Sequence, residues 1–220
     1  TEPALLRLLQ LSSAALPVGA YAFSQGMETA VEKGWLKSAD DVRQWLSPQL
    51  EYSLACVDIP LLQRQLCSAR LGDRAQLLYW NEFTLACRES GEMRLADTAM
   101  GEALVRLLSQ LEVPMPSPAI VEPSFLTAFA LAASHWQLEG RAACLGYVWG
   151  WLENQVAAAV KLVPLGQGAA QGLLGELMEL VPACLDRGGD LPDEEIGAAL
   201  PGLALASAWH ETQYSRLFRS

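Results

Sequence analysis

Only two imidazoles occur in the 220 residues, His135 and His210, and they stand 75 positions apart. Metal ligation or a base-assisted Ser or Cys nucleophile needs partners at defined spacing. The chain has no H-x-x-x-H or C-x-x-C pair and no recognisable triad. Each histidine therefore reads as a core or surface residue. The carboxylate pairs Asp40-Asp41 and Glu194-Glu195 fall at predicted helix starts, where they complement the helix dipole without a catalytic task. Neither G-x-x-x-x-G-K-[ST] nor a G-x-G-x-x-G opening a helix is present; Gly166-Gln167-Gly168 only imitates one. The residues predict no catalytic group and no directly bound metal or nucleotide.

The chemistry that does concentrate is that of binding. Chain ends are usually frayed and polar, yet Trp209 to Ser220 carries Trp209, Tyr214 and Phe218 together with Arg216 and Arg219. Trp, Tyr and Arg dominate interface hot spots. This segment is slightly cationic on a chain of net charge −10, so it should dock on its own acidic body or on another protein.

The elements that position these residues are helices. Apolar residues make up 51% of the chain and charged ones 18%, which excludes a disordered segment. Leu and Ala supply 39 and 32 positions, whereas Val, Ile and Thr together supply 21, so the composition favours helix over strand. An all-α single bundle of about ten helices is expected over residues 1–220, with 209–220 as a partner-binding tail. Leu5, Leu8 and Leu9 open the first helix, and Pro17 and Gly19 begin a loop that runs to Ser24, a plausible N-cap. Ser38 with Asp40 and Asp41 starts another helix, which Pro48 should kink or restart. Further helices are predicted over 58–71, 73–90, 93–112, 124–138, 140–163, 166–185 and 193–208, with 113–123 as a proline-bearing linker.

Two of those helices hold interior glycines, Gly146 and Gly150 in one and Gly168, Gly172 and Gly175 in the other. Each costs about 0.5–1 kcal/mol relative to Ala, so close backbone approach, within the chain or against another subunit, should offset them. The acidic balance, with 15 Lys and Arg against 25 Asp and Glu, argues against nucleic acid. Five cysteines of odd total and no close pair read as reduced thiols. No secretory leader pattern occurs near Thr1–Gln10, and the greasy stretches 125–138 and 142–163 are interrupted by polar residues, so no membrane span is expected.

Three separated motifs resemble the UreF family of urease accessory proteins. Leu16-Pro-Val-Gly-Ala-Tyr-Ala-Phe-Ser-Gln-Gly-Met-Glu28 is similar to that family's LPVGGYSxSQGLE. Val160-Lys-Leu-Val-Pro-Leu-Gly-Gln167 precedes a small-residue helix, and His210 to Ser220 is similar to the closing H-E-x-x-Y-S-R-L-[FY]-x-S. Ala20, Ala22 and Gly172 depart from the usual Gly, hydroxyl residue and Arg.

The resemblance implies a non-catalytic, cytoplasmic, homodimeric protein. It would dock on UreD (also called UreH), recruit the nickel-carrying UreG GTPase and gate GTP-dependent nickel insertion into apo-urease. Nickel and GTP would be handled by those partners. Tyr214, Arg216, Leu217, Phe218 and Arg219 would order against UreD, with Arg216 meeting Tyr21. Glu28, Lys161, Gly168, Gly172 and Tyr21 would belong to a UreG-docking or dimer face. Two other readings remain open on the residues alone: a scaffold for an unrelated helical partner, and a helical enzyme holding a small apolar ligand between Trp80, Trp136, Trp149 and Trp151.

Overall fold

The longest helical run begins at Ser38. Its hydroxyl accepts from Asp41 N–H at 3.2 Å while the Asp41 carboxylate accepts from Ser38 N–H at 3.0 Å, a closed capping box. In the computed structural model, which describes residues 1–219 and leaves Ser220 of the predicted tail outside, this run continues to Leu71. It comprises α3 (Ala39–Pro48), a π-helical stretch Gln49–Asp58, and α4 (Ile59–Leu71). Pro48 brings no N–H to the carbonyl four residues back. Instead of the expected kink or restart, the chain stays helical with wider turns.

The other helices are α1 (Glu2–Leu11), α2 (Met27–Glu32), α5 (Arg74–Ala86), α6 (Gly91–Gln110), α7 (Phe125–His135), α8 (Gly140–Leu162), α9 (Gln167–Met178), α10 (Val181–Asp190) and α11 (Pro201–His210). Short 3-10 turns occupy Ala20–Ala22 and Asp193–Glu195, and no strand occurs among the described residues. The all-α expectation holds, with most ends shifted by a few residues and two of the expected helices redrawn. The helix expected over 166–185 divides at Glu179 and Leu180, because Pro182 begins a new helix in place of continuing the old one. The helix expected over 193–208 starts only at Pro201.

Helix α7 lies at the centre, against α4 on one side and α6 on the other, so helices on both sides of 113–123 pack together. Its alanines Ala128, Ala130, Ala132 and Ala133 are fully buried, and their small side chains let the neighbours approach. Gly101 of α6 passes the Pro123 carbonyl so closely that a Cβ there would collide with it. Asn81 on α5 holds the end of the linker, donating to Glu122 O at 2.9 Å and accepting from Ser124 N–H at 2.8 Å. Ser124 then caps α7.

A buried ionic centre ties these helices to the π stretch. Arg88, just beyond α5, lies 2.8 Å from Asp58 and 2.8 Å from Asp97 on α6. Asp97 also accepts the Phe125 N–H at 2.7 Å. Burial pushes the Asp58 carboxyl above its ordinary range, and the Arg88 charge pulls it back.

The glycines of α8 and α9 part company. Gly146 lets α8 lie against Leu8 and Ser12 at the end of α1, and Gly150 admits the Ser12 backbone. Gly168, Gly172 and Gly175 border open space, so nothing within the chain offsets their cost. Gly101→Ala should therefore destabilise the chain by at least about 1–3 kcal/mol through overpacking. Gly172→Ala should stabilise it by about 0.5–1 kcal/mol. Urea unfolding of the two variants beside the parent chain checks the opposite signs.

Candidate functional site

The C-terminal segment is built on the packing of α2 against α11. Gly26, at φ +81°, precedes α2, and a Cβ there would stand 3.1 Å from the Ser207 nitrogen. Glycine serves both needs, since it takes the left-handed conformation and admits the neighbouring backbone. Glu28 then sits in the first turn of α2, Glu92 in the first turn of α6, and His210 at the end of α11. Each charge sign suits its helix end.

These three side chains meet in the interior. His210 is 0% exposed; its Nε2 lies 3.0 Å from Glu28 Oε2 and its Nδ1 lies 2.7 Å from Glu92 Oε2. Bonding on both sides requires two protons, shared among the ring and the carboxyl groups. Arg216 adds a contact of 3.1 Å to Glu92 Oε1. Burial pushes the Glu92 carboxyl above its ordinary value, and the charges of His210 and Arg216 oppose that rise.

The chain after His210 folds back over this cluster as a strap. Glu28 Oε1 accepts the Leu217 N–H at 2.6 Å, and Glu28 Oε2 accepts the Phe218 N–H at 2.9 Å. Arg219 N–H donates to Ala22 O at 2.7 Å, and the Thr29 hydroxyl donates to the Gln213 side-chain carbonyl at 2.9 Å. Phe218 is buried, whereas Tyr214 is fully exposed and Leu217 is 67% exposed. The strap thus has an inward set, Arg216 and Phe218, and an outward set, Tyr214 and Leu217.

The residues singled out in the sequence are distributed as follows. Tyr21 is exposed on the 3-10 turn, and Lys161, not Arg216, faces it: the ammonium lies 6.0 Å from the Tyr21 ring centre and 5.4 Å from that of Phe218. In the chain alone Arg216 meets Glu92, a carboxylate that offers the guanidinium a full charge where a ring face offers a quadrupole; the Arg216–Tyr21 contact expected on binding UreD belongs to the complex. Glu28 is buried and its oxygens are occupied within the chain. Gly168 and Gly172 lie on the uncovered face of α9, and Arg219 is exposed.

Sequence reasoning left out Glu92 and gave the core histidine His210 no partner; the two acquire their roles only through one another. It also left out a groove of about 560 Å³ beside the strap, bordered by Lys33, Trp35, Trp209 and Tyr214. The Trp35 and Trp209 rings stand 5.8 Å apart and both are partly exposed. Among the described residues no group of three or more His, Cys, Asp or Glu is arranged to hold a metal ion. Glu28, His210 and Glu92 spend their atoms on each other. No described helix is long and apolar enough to cross a membrane.

Residues 36–178 match the model of the family described as UreF. Over its whole length the chain is 54% identical to "Urease accessory protein UreF" of Marinomonas sp. (strain MWYL1), covering 96% of that protein. It is 49% identical, again over its whole length, to the protein of the same name from Alkalilimnicola ehrlichii, of which 98% is covered. A third relative of that name, from Azoarcus sp. (strain BH72), is 48% identical over 98% of this chain and 95% of its own.

Removing the ring from this cluster leaves two buried carboxylates facing one another. His210→Ala should lower the unfolding free energy by about 3–5 kcal/mol, whereas substitution of the exposed His135 by Ala should change it by less than about 0.5 kcal/mol. Chemical denaturation at neutral pH measures both.

Proposed function

Since the chain belongs to the UreF family, we propose that it is a urease accessory protein that promotes nickel insertion into apo-urease through partner binding and without catalysis of its own. It docks on UreD/UreH through the strap, recruits the UreG GTPase and gates the GTP-dependent transfer of nickel, working in the cytoplasm as a homodimer. UreG handles the nucleotide, and nickel passes through partner proteins. The observation that carries this reading is the outward set on a strap whose inward set is already satisfied. Tyr214 stands in solvent at the rim of the groove that holds the exposed Trp35 and Trp209 rings among polar residues such as Thr29, Lys33 and Gln213, and Leu217 is exposed three residues further along, which gives a mixed aromatic and polar face. Such a face loses water favourably on burial and suits a protein partner.

In this arrangement Tyr214 and Leu217 contact UreD, Arg216 and Phe218 hold the strap in place for it, and Arg219 lies at the edge. Glu28 supports the same surface from beneath. Lys161, which has no carboxylate within 4 Å among the described residues, and Tyr21 form the exposed edge offered to UreG or to the second subunit. The open glycine row of α9, with Gly168 and Gly172, is the second such face; it lets another backbone approach where nothing within the chain does.

The double substitution Tyr214→Ala, Leu217→Ala should weaken co-purification with UreD at least tenfold and reduce urease activation accordingly, with the isolated chain as stable as before. Undiminished assembly would remove the strap from the UreD interface. Lys161→Glu should leave UreD binding intact and weaken either UreG recruitment or dimer formation, measured by pull-down and by light scattering.

A further inference from the structure

We propose that Glu28 is the positioning residue of the C-terminal strap, a carboxylate that seats the chain end by accepting two successive backbone N–H groups. The inference rests on the reading of the strap as the docking element and adds how it is held. The observation is the bonding at Leu217 and Phe218: both amides point at one carboxylate, at 2.6 and 2.9 Å. Hydrogen bonds to an ionised acceptor are the short and strong ones. Here a charged group from the body does for the strap what a neighbouring strand or a helix turn does elsewhere for exposed amides.

Little else fixes this segment. Phe218 is the only apolar strap side chain that is buried; Tyr214 and Leu217 are solvent-facing. Arg216 contributes one contact to Glu92, Arg219 one backbone bond to Ala22, and Gln213 one bond accepted from the Thr29 hydroxyl. His210 holds the Glu28 carboxylate in place from the interior at 3.0 Å, and Glu92 holds the ring from its other side at 2.7 Å. The chain of support runs from α6 through the ring to α2 and ends on two amides.

Reading by backbone has a consequence for specificity. Glu28 gains nothing from the Leu217 side chain, so that side chain is free to face a partner while its own amide anchors the strap. The ligand class that this site takes is a bent peptide segment with two successive N–H groups turned to the same side and an aromatic side chain at the second, and the strap itself is that ligand.

Amide hydrogen exchange in the full isolated chain tests the proposal at Phe218 and Arg219. Glu28→Gln, which replaces one accepting oxygen by an NH2 group, should accelerate exchange at these amides at least tenfold. Because that substitution also touches His210, two strap variants accompany it, neither of which alters the body. Leu217→Pro deletes one donor and should accelerate exchange at Arg219 at least tenfold; Leu217→Ala keeps the donor and should stay within twofold of the parent. A folded Glu28→Gln chain with unchanged protection, or Leu217→Pro behaving as Leu217→Ala does, would overturn it. No partner enters this measurement, so its failure is distinct from a failure to bind UreD, which a seated strap can still show.

Discussion

A buried imidazole between two carboxylates is the interaction on which the C-terminal helix and its strap depend. His210 closes α11, and its ring nitrogens reach α2 on one side and α6 on the other. Three helices distant in sequence are thereby brought to one point, where the buried polar groups of Glu28, Glu92 and His210 satisfy one another. Arg216 adds a partly exposed guanidinium from the strap. The arrangement makes the chain end part of the fold, in contrast to the frayed termini of most domains.

The rest of the body is held differently. Arg88 joins Asp58 and Asp97 in a second buried ionic centre, but around it stand apolar layers of the π stretch, α6 and α7, with Leu54, Leu104 and Phe129 almost without exposure. The strap has one buried ring and a handful of polar bonds. Segments with few buried apolar contacts open at low free energy cost. A rigid helical body thus carries a strap of lower local stability, whose seating can change while the core stays undisturbed.

Much of the architecture could be read from the residues, and the exceptions have particular causes. Ser38 and Asp41 announce a helix start because a capping box is a local device spanning four residues. Pro48 announces a break that does not come, since the missing donor is accommodated by a π-helical stretch that no local pattern signals. Gly101 looks like an ordinary interior glycine until the linker carbonyl of Pro123 is laid across it. The aromatic and arginine content of the tail sets it apart from an ordinary frayed terminus in the sequence alone. Which of those residues turn inward is not visible there, because the receiving groups Glu28 and Glu92 lie more than a hundred residues earlier in the chain. His210 looked bland for the same reason: a histidine's role is set by what its two nitrogens meet, and spacing along the chain shows neither.

Family membership and geometry meet on the strap: the chain belongs to a family of urease accessory proteins, and its C-terminus presents Tyr214 and Leu217 from a seat made by Glu28. A photo-reactive amino acid placed at position 214 in the full chain, expressed together with UreD, UreG and apo-urease, tests the central claim most directly. The account predicts that the major crosslinked product joins this chain to UreD. Crosslinks confined to the chain itself, in cells where urease is activated normally, would contradict it.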